Sequence, residues 1–118
     1  MTHDLNSLAV VNFEAALTRL GDSRELLLDM MRFFREDVGM LLDKIEQGLA
    51  NGDAPATKLA SHSIKGLAAS FDADRVVELS RRIECLSAEG ELSAVEPLLP
   101  ALQKEVAALM VEFDAYEK

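Results

Sequence analysis

From Ser23 to about Ala50 the apolar residues Leu27, Met30, Phe34, Leu41 and Ile45 recur at steps of three, four and seven, with Leu26, Phe33, Val38, Leu42 and Leu49 widening the stripe. This is the period of an α-helix that buries one face. Such a helix needs other layers to lie against, and no segment of the chain carries the alternation of a strand. The spacing predicts a short helix over "NFEAALTRL", with Phe13, Ala16, Leu17 and Leu20 on one face and Gly21 as its stop. It predicts a third helix to about Phe71 and a fourth that buries Val76, Leu79, Ile83 and Leu86 before Gly90. A last helix runs from Ser93 to about Tyr116, burying Leu98, Leu102, Val106, Leu109 and Phe113, with a kinked start because Pro97 and Pro100 lack a backbone donor. Residues 1–11 show no period and read as a loose lead-in. The expected fold is all-α: an antiparallel up-and-down four-helix bundle with a short extra N-terminal helix.

Turn chemistry marks the joints. Asp22 and Glu25 are spaced as a capping box before the long helix. In "NGDAP", Asn51 and Gly52 tolerate left-handed backbone, Asp53 can cap, and Pro55 suits a first helical turn. Asp74 is placed to cap the fourth helix. With 118 residues and neither an internal repeat nor a linker, residues 1–118 read as one domain.

Composition narrows the function. A formal charge of −9 argues against nucleic acid, whose phosphates call for Lys and Arg. No apolar run reaches the length of a membrane span and no signal-peptide pattern is seen, so a cytoplasmic protein without membrane contact is expected. The single cysteine excludes an internal disulfide; Cys85 reads as a packed thiol, and Met30, Met31, Met40 and Met110 read as fillers of core gaps. His3, in the lead-in, has no evident partner. Against this acidic background the segment from Lys58 to Arg82 holds five basic residues and three acidic ones, a relatively positive island.

His62 lies inside that island. At 100° per residue, Ala60, Ile64, Leu67 and Phe71 fall between about 140° and about 200° from His62, so the histidine faces away from the apolar stripe. Lys58, Lys65, Gly66 and Ala69 share its side. The two lysines can bring ammonium groups toward the imidazole, and Gly66 and Ala69 keep the surface low enough for another molecule to approach. A glycine inside a helix costs about 1 kcal/mol relative to alanine, so Gly66 calls for a reason. The plain alternative is an idle surface histidine with Gly66 admitting a neighbouring helix.

Metal binding is disfavoured because His62 has no His or Cys at ligand spacing, and no Asp or Glu on its own helix face. Ser61 and Ser63 point about 100° to either side of it, which disfavours a triad. No glycine-rich phosphate loop is present, so direct use of ATP is not expected. Histidine as the nucleophile remains: an ordinary imidazole, with pKa near 6.5, is about three-quarters neutral at pH 7 and attacks without a dedicated base. Phosphoryl transfer asks chiefly for positioning and charge stabilisation, which Lys65 and Lys58 can supply; donor and metal ion would come from a partner.

The run "HSIKGLAASFDA" resembles the histidine-containing phosphotransfer (HPt) domain of multistep phosphorelays, whose pattern is roughly H-x-[LIF]-K-G followed by small residues and an apolar-Gly-Ala corner. The likeness spans about residues 12–115 and includes Phe34 and Asp37 in an F-x-x-D step. Asp72 departs from it, standing where the family usually has glycine. The resemblance implies that His62 is the phosphoacceptor, through Nε2, that Lys65 steadies the phosphoryl group, and that Gly66 gives clearance. The partners implied are response-regulator receiver domains, those of hybrid histidine kinases among them. Each would bring its own Mg²⁺, and the chain itself would need no cofactor and no kinase activity. Arg32 and Arg35, near the middle of the second helix, are further candidates for receiver contact if the bundle sets them level with His62. A monomer is expected. The competing reading is a helical adaptor that binds a receiver or kinase through the same face without being phosphorylated.

Overall fold

The structure, a computed structural model, describes residues 5–118; His3 lies outside them. A 3-10 turn at Leu5–Ser7 is followed by α1 (Phe13–Arg19), α2 (Arg24–Asn51), α3 (Ala54–Ala69), α4 (Asp74–Ala88), α5 (Leu92–Val95) and α6 (Leu98–Glu117). No strand occurs among the described residues. Helix α2 packs on α3, α3 on α4, α4 on α6, and α6 returns to α2, so the four long helices close a bundle. Phe34, Phe71 and Phe113 sit at its centre, with ring centroids 4.8 to 6.0 Å apart.

Side-chain caps fix three of the helix starts. Asn12, Ser23 and Asp53 accept hydrogen bonds from the backbone N–H groups of Ala15, Leu26 and Ala56, each worth about 1 kcal/mol. The start of α2 differs from the expected capping box: Ser23 is the cap, and Asp22 instead takes positive φ in the turn. Asp74 is the first residue of α4 rather than its cap, and no side chain caps that helix.

Residues 6–9 of the lead-in do that work instead, so this described part of it is not loose. The Arg75 N–H donates to the Ala9 carbonyl, and the Arg75 guanidinium donates to the carbonyls of Leu8 (2.8 Å) and Asn6 (3.2 Å). These carbonyls satisfy groups that periodicity does not report. At the neighbouring corner Asp72 takes φ 49°, and Arg19 clasps its carboxylate at 2.9 Å while also donating to the Ser70 carbonyl. The last predicted helix is two: α5 ends at Val95, and α6 begins after Pro97, with Pro100 in its first turn where a missing N–H costs nothing.

Two close approaches set the α2–α3 register. Gly48 lies beside Thr57 near the hairpin, and Phe34 meets Phe71 at the far end. Counting from either one, Asp43 is level with His62. Arg35 and Arg32 are therefore about 12 and about 16 Å further along α2, not level with His62 as expected. The buried stripe of α2 is also narrower than predicted, because Leu26, Phe33 and Met40 are exposed.

A Cβ on Gly48 would overlap Thr57 Oγ1, itself tied to the Asp53 carbonyl, and would press on backbone atoms of Asp53 and Thr57. Gly48→Ala is expected to cost a net 1–2 kcal/mol or about that, overpacking outweighing the propensity gain of about 1 kcal/mol. Urea titration checks this, and adding Thr57→Ala should recover part of the loss.

Candidate functional site

Helix α3 buries Thr57, Ala60, Ser61, Ile64 and Ala68 between α2 and α4, with Leu67 only half-buried. His62 falls on the outer face, its side chain 60% exposed. Ser61 and Ser63 do not compete with it chemically. Their hydroxyls donate to carbonyls of their own helix, Ser61 to Thr57 (2.9 Å) and Ser63 to Leu59 (3.1 Å).

The ring is held from the next helix. Glu84 of α4 places Oε2 at 2.8 Å from His62 Nδ1 and Oε1 at 2.6 Å from Lys65 Nζ. A carboxylate only accepts, so Nδ1 carries the proton and the neutral ring keeps its lone pair on Nε2. The Lys65 ammonium, and then the His62 ring, hold the Glu84 carboxyl below its ordinary range against the opposing effect of burial. Carboxylates are absent from the histidine's own helix but not from its surroundings. Glu84 is the site residue that the sequence reading missed: it follows Ile83 directly and lies two residues beyond the basic island as drawn.

Most of that island is spent internally. Lys65 is on Glu84, and Arg81 and Arg82 both hold Glu78 at 2.8 Å. Among the described residues Lys58 has no carboxylate partner, and it lines a shallow groove with Pro55, Leu59, His62 and Glu84. Gly66 and Ala69 are exposed, and a Cβ on Gly66 would meet nothing within 4 Å. No neighbouring helix therefore requires that glycine. Gly66 instead lines a second groove with Ser63, Leu67, Asp37, Met40 and Leu41, between α3 and α2. Arg35 is turned to α6, bonding Asp114 at 2.9 Å and Glu117 at 2.6 Å, while Arg32 pairs with Asp29 and Glu36 of its own helix.

Two other expectations fail. Cys85 is exposed rather than packed, with Arg81 Nη1 at 3.9 Å from its sulfur. Met31 does fill the core, but Met40 stands 52% exposed. Among the described residues no cluster of three or more His, Cys, Asp or Glu could hold a metal ion, and no helix is long and apolar enough to cross a membrane.

The depressed carboxylates set the acid limb of stability. Arg81, then Arg82, hold Glu78 down to about 2, from an ordinary value of 4.5. A carboxylate lowered on folding contributes stability that is complete above its unfolded value and lost as pH falls through its folded one. The thermal midpoint should thus be level above about pH 5 and decline toward about pH 2. Glu78→Gln should lower it at neutral pH and flatten the acid limb, as read by circular dichroism.

Residues 29–111 match the family model of the Hpt domain. The chain belongs to the Hpt domain family. Among solved structures it is similar to histidine-containing phosphotransfer protein B from Pseudomonas aeruginosa PAO1, at 22% identity and TM-score 0.82, over 91% of this chain and 93% of that one. It is also similar to the Hpt domain of a sensor hybrid histidine kinase from Shewanella, at 19% identity and TM-score 0.78, over 96% and 95%. At such identities these likenesses establish the fold. No curated protein matches the sequence.

Proposed function

We propose that this chain is a phosphorelay intermediate that takes a phosphoryl group from a receiver-domain aspartyl phosphate onto His62 Nε2 and hands it to a second receiver. Membership of the Hpt family gives the general phosphotransfer role. The observation that carries the residue-level reading is the exposed imidazole with Nδ1 bound to Glu84. The Nε2 lone pair attacks phosphorus in line as the bond to the aspartate oxygen breaks, and the carboxylate leaves with that electron pair. The Nδ1 proton stays in place, and Glu84 balances the positive charge gained by the ring. Lys65, one turn along, exchanges its contact with Glu84 for the phosphoryl oxygens, and Lys58 adds charge at the groove. The chemistry of the donor phosphate and of Mg²⁺ belongs to the receiver. Residues 1–118 act as one domain, monomeric and cytoplasmic, with no ATP-dependent activity of their own.

Incubation with a phosphorylated receiver tests this. Label that is acid-labile, stable in alkali and located at His62 is the expected result. Binding without label would make the chain an adaptor, and neither would overturn both readings. Gly66 gives a second check: Gly66→Leu should leave stability unchanged or raise it by up to about 1 kcal/mol, since nothing inside the bundle meets the added side chain. The same change should cut the rate of transfer from a receiver by about tenfold or more, because the side chain stands where the partner approaches.

A further inference from the structure

Helix α4 carries Glu84 to His62, yet little along its contact with α3 marks one axial position. With Val76 at zero, Ile83, Ser87, Ser80 and Glu84 fall at about −20°, 20°, 40° and 80°, so both serines lie between the core face and the edge that meets His62. Their hydroxyls are buried and make no hydrogen bond among the described residues. The buried face of α3 is as plain. Ala60, Ile64 and Ala68 are apolar, and the Ser61 hydroxyl is turned back to the Thr57 and Lys58 carbonyls of its own helix. Apolar contact is non-directional, so it favours the pairing of α3 and α4 without fixing it to a fraction of an ångström. A slide of about 1 Å is enough to take Glu84 Oε2, now 2.8 Å from His62 Nδ1, beyond hydrogen-bond reach.

Directional contacts gather at the corner instead. Asp72 takes φ 49° there, and Arg19 meets its carboxylate through two parallel bonds of 3.2 and 2.9 Å. The same guanidinium donates to the carbonyls of Ser70 (3.3 Å) and Ala69 (3.5 Å), where α3 ends. From the other end of α1, the Asn12 N–H donates to the Phe71 carbonyl at 3.0 Å. A forked guanidinium–carboxylate pair adds geometric definition as well as attraction. We propose that Arg19 is a positioning residue for phosphoryl transfer: its clasp on the 70–73 corner sets how far α4 lies along α3, and so keeps Glu84 on His62 Nδ1. The inference rests on the reading of His62 as the phosphoacceptor. Glu84 stands twelve residues beyond Asp72. That is about 18 Å along α4, and a helix is stiff enough to carry an axial shift over such a length.

Two variants of the whole chain test this. Arg19→Met keeps the apolar stem and removes the guanidinium, and Asp72→Gly removes the carboxylate while suiting the same φ. The donors are phosphoramidate and the fastest of the phosphorylated receiver domains from the same organism. Each variant should label His62 about tenfold more slowly from either donor, a smaller loss than the one of about 100-fold expected for Glu84→Leu. The KM for the receiver should stay within about twofold, and the melting midpoint within about 5 °C, the range of a surface ion pair. ¹⁵N–¹H spectra should show a smaller share of His62 with its proton on Nδ1. In the Glu84→Leu background Arg19→Met should cost nothing further, because the clasp acts through Glu84. A labelling rate within about twofold of the parent in both variants overturns the proposal, as does an unchanged tautomer or a loss that persists in full without Glu84. No label on the parent from either donor removes the reading of His62 instead, an outcome told apart because the tautomer spectra need no phosphoryl donor.

Discussion

Replacement of His62 by glutamine is expected to abolish phosphoryl uptake, with no acid-labile label above background, while the bundle stays folded. Both halves follow from position. The ring is outside the core and 60% exposed, and the one hydrogen bond it makes among the described residues is to Glu84. A surface substitution of that kind shifts stability by no more than about 0.5 kcal/mol. The amide of glutamine retains polarity and reach but has no nucleophilic nitrogen lone pair, so the loss is chemical. Intact-mass or phosphate-affinity gel analysis after incubation with a phosphorylated receiver measures the first half, and a thermal melt measures the second. Label on the glutamine variant would move the acceptor elsewhere.

The second large effect is expected at Glu84. Glu84→Leu removes the acceptor that keeps the proton on Nδ1 and frees Lys65, so the ring can rotate or present the protonated nitrogen to the donor. The kcat for transfer should fall by about 100-fold, less than the roughly 10⁴-fold loss when a reactive histidine is locked in the wrong tautomer, because the freed ring still samples the productive one. The KM for the receiver should change far less, because little of Glu84 is open to a partner: its side chain is only 17% exposed. Glu84→Gln separates the two contributions. Its amide oxygen still accepts from Nδ1–H, so the tautomer survives and most of kcat with it, while the charge that holds Lys65 is lost. Equal losses in the two variants would show that charge, not orientation, is what Glu84 supplies. ¹⁵N–¹H spectra of the imidazole read the tautomer directly in all three proteins.

Much of this was legible from periodicity and turn chemistry. The stripe of α3, the Asp53 cap and the outward direction of His62 depend on residues within a turn or two of each other, and such relations survive in a linear string. Glu84 illustrates what does not. It meets His62 across twenty-two residues of chain, and the pairing depends on how far α4 slides along α3 after the 70–73 corner. That corner is itself set by Arg19, from a third helix, gripping Asp72. Arg35 makes the same point in reverse, since only the closure of α2 onto α6 shows that its charge is already taken by Asp114 and Glu117. Hydrophobicity alone places Met40 and Phe33 in the core, because it does not say how wide a buried face is; that depends on how close the neighbouring helices stand.

The strap formed by residues 6–9 bears on how this protein should be handled. Its carbonyls hold the first turn of α4, and α4 is the helix that carries Glu84. Anything that tugs or trims the front of the chain thus acts on the His62 ring by leverage, through a helix it never touches. Affinity handles and fluorophores for kinetic work belong at the far terminus, and a shortened N-terminus with an unchanged melting curve can still displace Glu84 from His62.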